Sequence, residues 1–324
     1  MPHAIRFSAT GGPEVLSFDA VAVGAPGPGE ARVRHTAIGV NYIETYHRSG
    51  LYPLTLPSGL GTEAAGVVEA VGAGVDWVAP GDRVAYCTGP LGAYSTERVM
   101  PADKLVKLPA AVDDRSAAAL MLKGLTVQYL FGQTFPLKGG ETILFHAAAG
   151  GVGLIACQWA RALGVTMIGT VGSDAKAALA RDHGCTHTIV YTRENFVDRV
   201  REITGGKGVP VVYDGVGKDV FPDSLDCLMP RGMYVNFGNA SGAVPPFNLL
   251  LLSQKGSLYA TRPTLAHHAK DRASLSAMAG EMFAMMAAGK LRADIGQTFA
   301  LKDAAEAHRA LQARQTAGAT LLLP

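Results

Sequence analysis

The chain reads as an α/β protein, with a doubly wound parallel sheet in its middle and a small, irregular β-barrel-like domain before it. Three observations predict this. From Glu141 to about residue 261, strand-like and helix-like segments alternate. The first 100 residues carry short strands and turn signals without a helical period. A glycine loop joins a buried strand to an amphipathic helix. Alternating βα units bury both faces of a parallel sheet. At 324 residues the chain exceeds what one core usually serves, so two domains are the default.

The strands predicted in the first region are Ala31–Ala37, which alternates, Ala64–Val71, small and β-branched, and Asp82–Ala85 after the turn Pro80–Gly81. A helical run follows from Ala117 to Phe131. Then come strand Thr142–Ala147, helix Gly151–Leu163, strand Val165–Thr170 and helix Asp174–His183, stopped by Gly184. Strand His187–Val190, helix Glu194–Ile203, strand Val209–Tyr213 and helix Asp219–Leu228 continue the alternation. Strand Gly232–Phe237, a short helix Phe247–Leu252 and strand Ser257–Thr261 complete it. Helices Ser274–Ala288 and Asp303–Arg314 and a last strand, Ala319–Leu323, close the chain.

Composition removes several classes. Glycine is abundant, 39 residues, but has no three-residue period, and 48% of the chain is hydrophobic, which excludes collagen and disorder. The net charge is +2 with the signs interspersed, so no nucleic-acid or anionic-membrane footprint is present. No apolar stretch approaches the roughly 20 residues of a membrane span, and the start lacks a signal-peptide pattern. The four scattered cysteines, without a C-x-x-C, read as reduced thiols of a cytoplasmic protein.

The strongest motif is Ala147-Ala148-Ala149-Gly150-Gly151-Val152-Gly153. Ala148, Gly150 and Gly153 fill the three small positions of a dinucleotide fingerprint, and the pyrophosphate would sit at the start of the helix opening at Gly151. A strand before it and a helix after it supply the context the pattern needs; the alternative is a glycine turn without ligand. The next strand ends Gly169-Thr170-Val171-Gly172-Ser173-Asp174-Ala175-Lys176, with no acid at the strand end for a ribose 2′-hydroxyl. Ser173 and Lys176 suit a 2′-phosphate, which favours NADPH; Asp174 would repel it if turned inward. The same three residues also suit an N-cap, a first-turn acid and a solvated lysine, and both readings can hold together.

Spacing for metal ligands is absent, His267-His268 reads as a loop pair, and each histidine reads as an isolated surface or capping residue. Aldehyde or ketone reduction needs its developing alkoxide stabilised, often by zinc. A quinone needs less help: it is planar and electron-poor, and an aromatic ring is recovered on reduction.

The run Gly140–Arg161, GETILFHAAAGGVGLIACQWAR, resembles the signature of the zinc-free quinone oxidoreductase (zeta-crystallin-like) branch of the medium-chain dehydrogenase/reductases. The segments Ala37–Tyr42, Ser49–Pro53, Leu60–Gly66, Leu122–Tyr129, Val212–Gly217, Phe237–Asn239 and Gln254–Pro263 match in order over essentially the whole length. The resemblance implies a GroES-like β-barrel substrate domain, residues 1–122 completed by 266–324, and a Rossmann NADPH-binding domain, residues 123–265, with a quinone bound in the cleft between them. Where zinc-dependent relatives carry ligands, this chain has Asn41, Thr62 and Leu122, so no metal is expected.

Further implications follow residue by residue. Gly150, Gly151 and Val152 would meet the pyrophosphate. Gly172, Ser173, Lys176, Tyr191 and Arg314 would surround the adenosine phosphate. Phe237, Gly238 and Asn239 would border the nicotinamide, with Pro263, Thr264 and Leu265 nearby and Thr126 and Tyr129 beneath the cofactor. Asn41, Tyr42, Tyr46 and Tyr52 would line the substrate side, with Tyr42 and Tyr46 also reaching the cofactor and Asn41, Tyr46 and Tyr52 as the catalytic candidates; Tyr46 or Tyr52 would donate to the quinone oxygen. Tyr42, Tyr46 and Phe237 would serve equally as core or interface packing. A homodimer is the family's common state. The rivals are an NADPH-dependent enone or alkenal double-bond reductase and, from another class, an NADPH-binding structural or RNA-binding protein.

Overall fold

The computed structural model describes all residues, 1–324, in two units: Met1–Leu125 with His268–Pro324, and Thr126–His267. The chain begins with β1 (His3–Phe7), β2 (Ser17–Ala20), β3 (Glu30–Val40), α1 (Tyr42–Ser49) and β4 (Ser58–Gly59). Strands β5 (Ala64–Val71), β6 (Arg83–Tyr86), β7 (Glu97–Pro101) and β8 (Val106–Lys107) lead to α2 (Asp114–Tyr129). Then follow β9 (Thr142–Phe145), α3 (Gly151–Leu163), β10 (Thr166–Val171), α4 (Asp174–Asp182), β11 (His187–Val190) and α5 (Phe196–Ile203). Next are β12 (Val209–Asp214), β13 (Leu228–Asn236), α6 (Leu250–Gln254), β14 (Tyr259–Thr261) and α7 (Leu265–His268). The last elements are α8 (Arg272–Ala287), β15 (Ile295–Ala300), α9 (Ala304–Gln312) and β16 (Ala319–Leu323).

In the unit Thr126–His267, six parallel strands lie in the order β11-β10-β9-β12-β13-β14. This is the doubly wound arrangement, with the strand order reversing between β9 and β12, where such sheets bind ligands at their carboxyl ends. The central strand is apolar on both faces: Ile143, Leu144 and Phe145 are all buried, as helices on each side of a parallel sheet require. Its core gathers Leu144, Ile168, Ile189, Val212, Leu225 and Tyr234.

The other unit is built on a mixed sheet, β15-β16-β3-β5-β6-β8, with β7 also pairing β3, and a small sheet in which β1 lies between β2 and β4. The last strand, β16, is antiparallel to β3, with Leu322 opposite Ile38. Residues from both ends of the chain therefore share one core, in which Ile5, Val33, Ile38 and Leu105 join Leu301, Ala304 and Leu322. No helix is long and apolar enough to cross a membrane.

Several expectations need correction. Helix α1 lies in a region without a readable helical period, because eight residues are too few to show one. Local chemistry makes it instead: Asn41 is the N-cap, the Glu44 carboxylate accepts from the Asn41 N–H at 2.6 Å, and Gly50 ends the helix at φ 85°. The helix expected over Asp219–Leu228 is only a 3-10 stretch, Asp223–Cys227, since Pro222 lacks an N–H and β13 already starts at Leu228. Strands β1, β2, β4, β7, β8 and β15 were not apparent from the sequence; β15 alternates half-buried and exposed residues at a sheet edge. The α-helical form of α2 stops at Tyr129, and a π-helical turn follows over Leu130–Thr134. His267 and His268 belong to α7 rather than a loop; His35, His146 and His308 are buried rather than on the surface, whereas His183, also buried, is the C-cap of α4.

Candidate active site

The glycine loop runs from the end of β9 into α3. Gly150 is the N-cap of α3, extended at φ −79° and ψ 172°, and no side chain caps the helix. The first-turn N–H groups and the positive end of the helix dipole therefore have no partner from a capping side chain, which suits an anion such as a dinucleotide pyrophosphate. Space confirms the need for glycine. A Cβ on Gly153 would lie 2.4 Å from the Ala147 carbonyl oxygen and 2.5 Å from that of Ala148, and one on Gly150 would stand 3.2 Å from the Ala147 oxygen. Gly151 and Val152 form the first turn.

At the end of β10, Gly172 leaves room for Tyr191, whose hydroxyl would stand 2.9 Å from a Cβ there. The Ser173 hydroxyl accepts from the Lys176 N–H at 3.3 Å and so caps α4, while Lys176 itself is half-buried. Asp174 is resolved by a residue that sequence reasoning missed. Arg193, two residues beyond Tyr191, grips its carboxylate with two hydrogen bonds of 2.6 and 2.5 Å. That guanidinium holds the Asp174 carboxyl below the usual carboxylate range. A planar pair spans the β10 and β11 strand ends, and no uncompensated acid stands beside Ser173 and Lys176.

The carboxyl ends of β12 and β13 are organised by Asp214, also missed from the sequence. Its buried carboxylate accepts from the Tyr234 hydroxyl at 2.5 Å, the Asn236 amide at 3.0 Å, and the N–H groups of Val216 and Gly217 at 2.7 and 3.0 Å. These bonds set the turn after β13, where Phe237, Gly238 and Asn239 lie. A Cβ on Gly238 would stand 2.5 Å from the Gly215 carbonyl oxygen. Phe237, half-buried, packs on Phe145 with ring centroids 5.6 Å apart. Thr126 and Tyr129 are buried on α2; Pro263 and Thr264 follow β14, and Leu265 opens α7.

In the other unit, Asn41 closes β3 and starts α1. Tyr42, Tyr46 and Tyr52 form a chain of rings, with centroids 6.3 and 5.2 Å apart, and the Tyr42 hydroxyl donates to the Leu311 carbonyl at 3.0 Å. Tyr46 is buried; Tyr42 and Tyr52 are half-buried. Arg314 follows α9 in a left-handed conformation, φ 58°.

Around Asn41 lies a buried polar cluster. Glu63, fully buried, accepts from the Asn41 amide at 2.8 Å, the Lys123 ammonium at 2.7 Å and the Leu122 N–H at 2.6 Å. Beside it the Thr62 hydroxyl meets the Glu44 carboxyl at 2.6 Å, and burial pushes that carboxyl up to about 7. The three positions suspected of lacking metal ligands thus converge on hydrogen bonds to two carboxyls, one of them neutralised by an ammonium. Gly39 makes room for it: a Cβ there would lie 2.2 Å from Glu63 Oε1.

Comparison with known proteins adds three findings. A family model described as alcohol dehydrogenase GroES-like domain matches residues 27–110, and one described as zinc-binding dehydrogenase matches residues 151–267. A quinone oxidoreductase of Pseudomonas aeruginosa is 60% identical over the full length of both chains, and a 2-haloacrylate reductase of a Burkholderia species is 50% identical over 97% of this chain and 96% of its own. The crystal structure of Escherichia coli quinone oxidoreductase complexed with NADPH superposes with a TM-score of 0.98 at 52% identity, covering 99% of this chain and all of that one.

Proposed function

This chain belongs to the quinone oxidoreductase branch of the medium-chain dehydrogenase/reductases, and we propose that it transfers reducing equivalents from NADPH to a quinone. One observation carries the reading: 60% identity to a quinone oxidoreductase over the full length of both chains coincides with an uncapped α3 in which Gly153 leaves no room for a Cβ. NADPH supplies the reducing equivalents when bound. The N–H groups of Gly151 and Val152 hold its pyrophosphate, with Gly150 allowing the approach. Ser173, Lys176, Tyr191, Gly172 and Arg314 hold the adenosine phosphate, and the Asp174–Arg193 pair, which covers the nearby acid, supports a phosphate there. Phe237, Gly238, Asn239, the segment Pro263–Leu265, Thr126 and Tyr129 would hold the nicotinamide.

On the substrate side we assign Asn41, Tyr42, Tyr46 and Tyr52. A hydroxyl of Tyr46 or Tyr52 donates a hydrogen bond to the quinone oxygen, and the exclusion of water strengthens it. Zinc, which the description of one matching family implies, does not fit these residues. Asn41, Thr62 and Leu122 offer no imidazole or thiolate, and the Glu63 carboxylate beside them is held by Lys123. Reduction of a quinone suits such a site, because its charge delocalises over the ring.

The proposal includes a homodimer in the cytoplasm. The edge strand β14 and the exposed Leu249, Leu250 and Tyr259 support self-association, and four buried cysteines without disulfides support a reducing compartment. A second reading, reduction of an activated carbon–carbon double bond, is favoured by the likeness to 2-haloacrylate reductase. Steady-state NADPH oxidation against a panel of quinones, enones and 2-haloacrylates separates the two. Quinones with the highest kcat/KM support the first reading; a preference for the activated alkenes replaces it with the second.

A further inference from the structure

Among the buried groups outside the site just described, one chain of hydrogen bonds ends on the glycine loop. Ala147, the loop's first residue, has φ 58°, a left-handed conformation that alanine rarely adopts. This turns its carbonyl back onto the loop, where it accepts from the Gly150 N–H at 2.9 Å and lies where a Cβ on Gly153 would be. Thr170 on β10 secures the conformation from the other side. Its hydroxyl oxygen accepts from the Ala147 N–H at 3.3 Å, and its carbonyl accepts from the Ala148 N–H at 3.0 Å.

The proton positions then follow in sequence. The Ser224 hydroxyl donates to the Val220 carbonyl at 2.8 Å, so its oxygen accepts from His146 Nε2–H at 2.9 Å. The neutral His146 ring thus leaves Nδ1 as an acceptor, and the Thr170 hydroxyl, 3.0 Å away, donates to it. The imidazole is enclosed, with Phe196 edge-on at 5.1 Å, and burial holds it neutral, down to about 4. His146 and Thr170 are both buried and neither can reach a ligand directly.

We propose that His146 and Thr170 are positioning residues for NADPH: their hydrogen-bond chain holds Ala147 in its left-handed conformation and so presets the phosphate loop. This rests on the assignment of NADPH to the loop. The role requires neither residue to touch the cofactor. It predicts that losing the Thr170 hydroxyl can be offset by a residue that adopts the left-handed conformation unaided, which is glycine.

The test compares the native protein with Thr170→Val, Thr170→Ser and the double variant Thr170→Val/Ala147→Gly. NADPH affinity is read by nucleotide fluorescence on the protein alone, and kcat and quinone KM at saturating NADPH. Thr170→Val should weaken NADPH about tenfold, the size of one hydrogen bond, and leave kcat and quinone KM within about twofold. Thr170→Ser should bind as the native protein does, and Ala147→Gly added to Thr170→Val should restore most of the affinity. If Thr170→Val does not fold, Thr170→Cys, whose thiol is a weak acceptor, takes its place with the same expectations. The proposal is overturned if the variant binds NADPH within twofold of native, if Ala147→Gly restores nothing, or if kcat falls instead of affinity. Failure of the native protein to bind NADPH would overturn the cofactor assignment itself, a distinct outcome read on the same instrument.

Discussion

Replacing Lys123 by Met tests the buried cluster beside Asn41 most directly. The Lys123 ammonium lies 2.7 Å from Glu63 Oε1, and both side chains are almost completely withdrawn from water, 6% and 0% exposed. Methionine matches the length of the lysine stem but leaves the Glu63 carboxylate with only two neutral donors, the Asn41 amide and the Leu122 N–H. Removing one partner of a buried pair costs about 3–5 kcal/mol, because the remaining charge stays uncompensated. Urea unfolding followed by fluorescence and circular dichroism measures the loss. The double variant Lys123→Met/Glu63→Gln removes the charge as well; its side-chain oxygen accepts from the Leu122 N–H and its NH2 donates to the Asn41 amide oxygen once that amide turns over, so it should recover about 1–3 kcal/mol over the single variant. A loss below about 1 kcal/mol for Lys123→Met, or strict additivity in the double variant, would refute the reasoning about an uncompensated buried charge.

Other perturbations reach different parts of the molecule. Lys176→Ala should weaken NADPH but not NADH binding by about 1.5–3 kcal/mol, the range for a charge-assisted hydrogen bond; equal losses for the two cofactors would remove the 2′-phosphate assignment. Arg193→Ala frees the Asp174 carboxylate and should likewise weaken NADPH more than NADH, checked by the same pair of titrations. Glu44 sits at about 7 in the folded protein against an ordinary 4.5. The folded state therefore binds the extra proton between these values, and stability should fall as pH rises from 4.5 to 7, by about 3 kcal/mol in all. Glu44→Gln should flatten that dependence, and a profile unchanged from native would count against it. Gly39→Ala should destabilise by about 1–3 kcal/mol or more through collision with Glu63, read from urea midpoints. Tyr52→Phe with full quinone kcat/KM would take that hydroxyl out of the proposed mechanism.

Much of the unit Thr126–His267 is legible in the sequence. The alternation from β9 to β14, the helix caps at Ser173 and Gly184 and the small residues at Gly150 and Gly153 are properties of neighbours in sequence, so local physics determines them. Even there, the sequence left Asp174 ambiguous. Its partner Arg193 lies 19 residues away and reaches it only because β10 and β11 pair in parallel, with Val171 opposite Val190. The buried Asp214 likewise reads as an ordinary strand-end acid until Tyr234 and Asn236 fold onto it. Glu63 and Lys123, 60 residues apart, show the same limit.

By itself, then, the sequence determined a doubly wound sheet and the glycine turn between β9 and α3, because periodicity, turn residues and missing Cβ atoms act over a few residues. The tertiary structure decided which charges are paired, which histidines are buried and neutral, and how the chain's two ends share one core. Those outcomes depend on desolvation, which is felt only once distant segments have closed over a group and removed it from water.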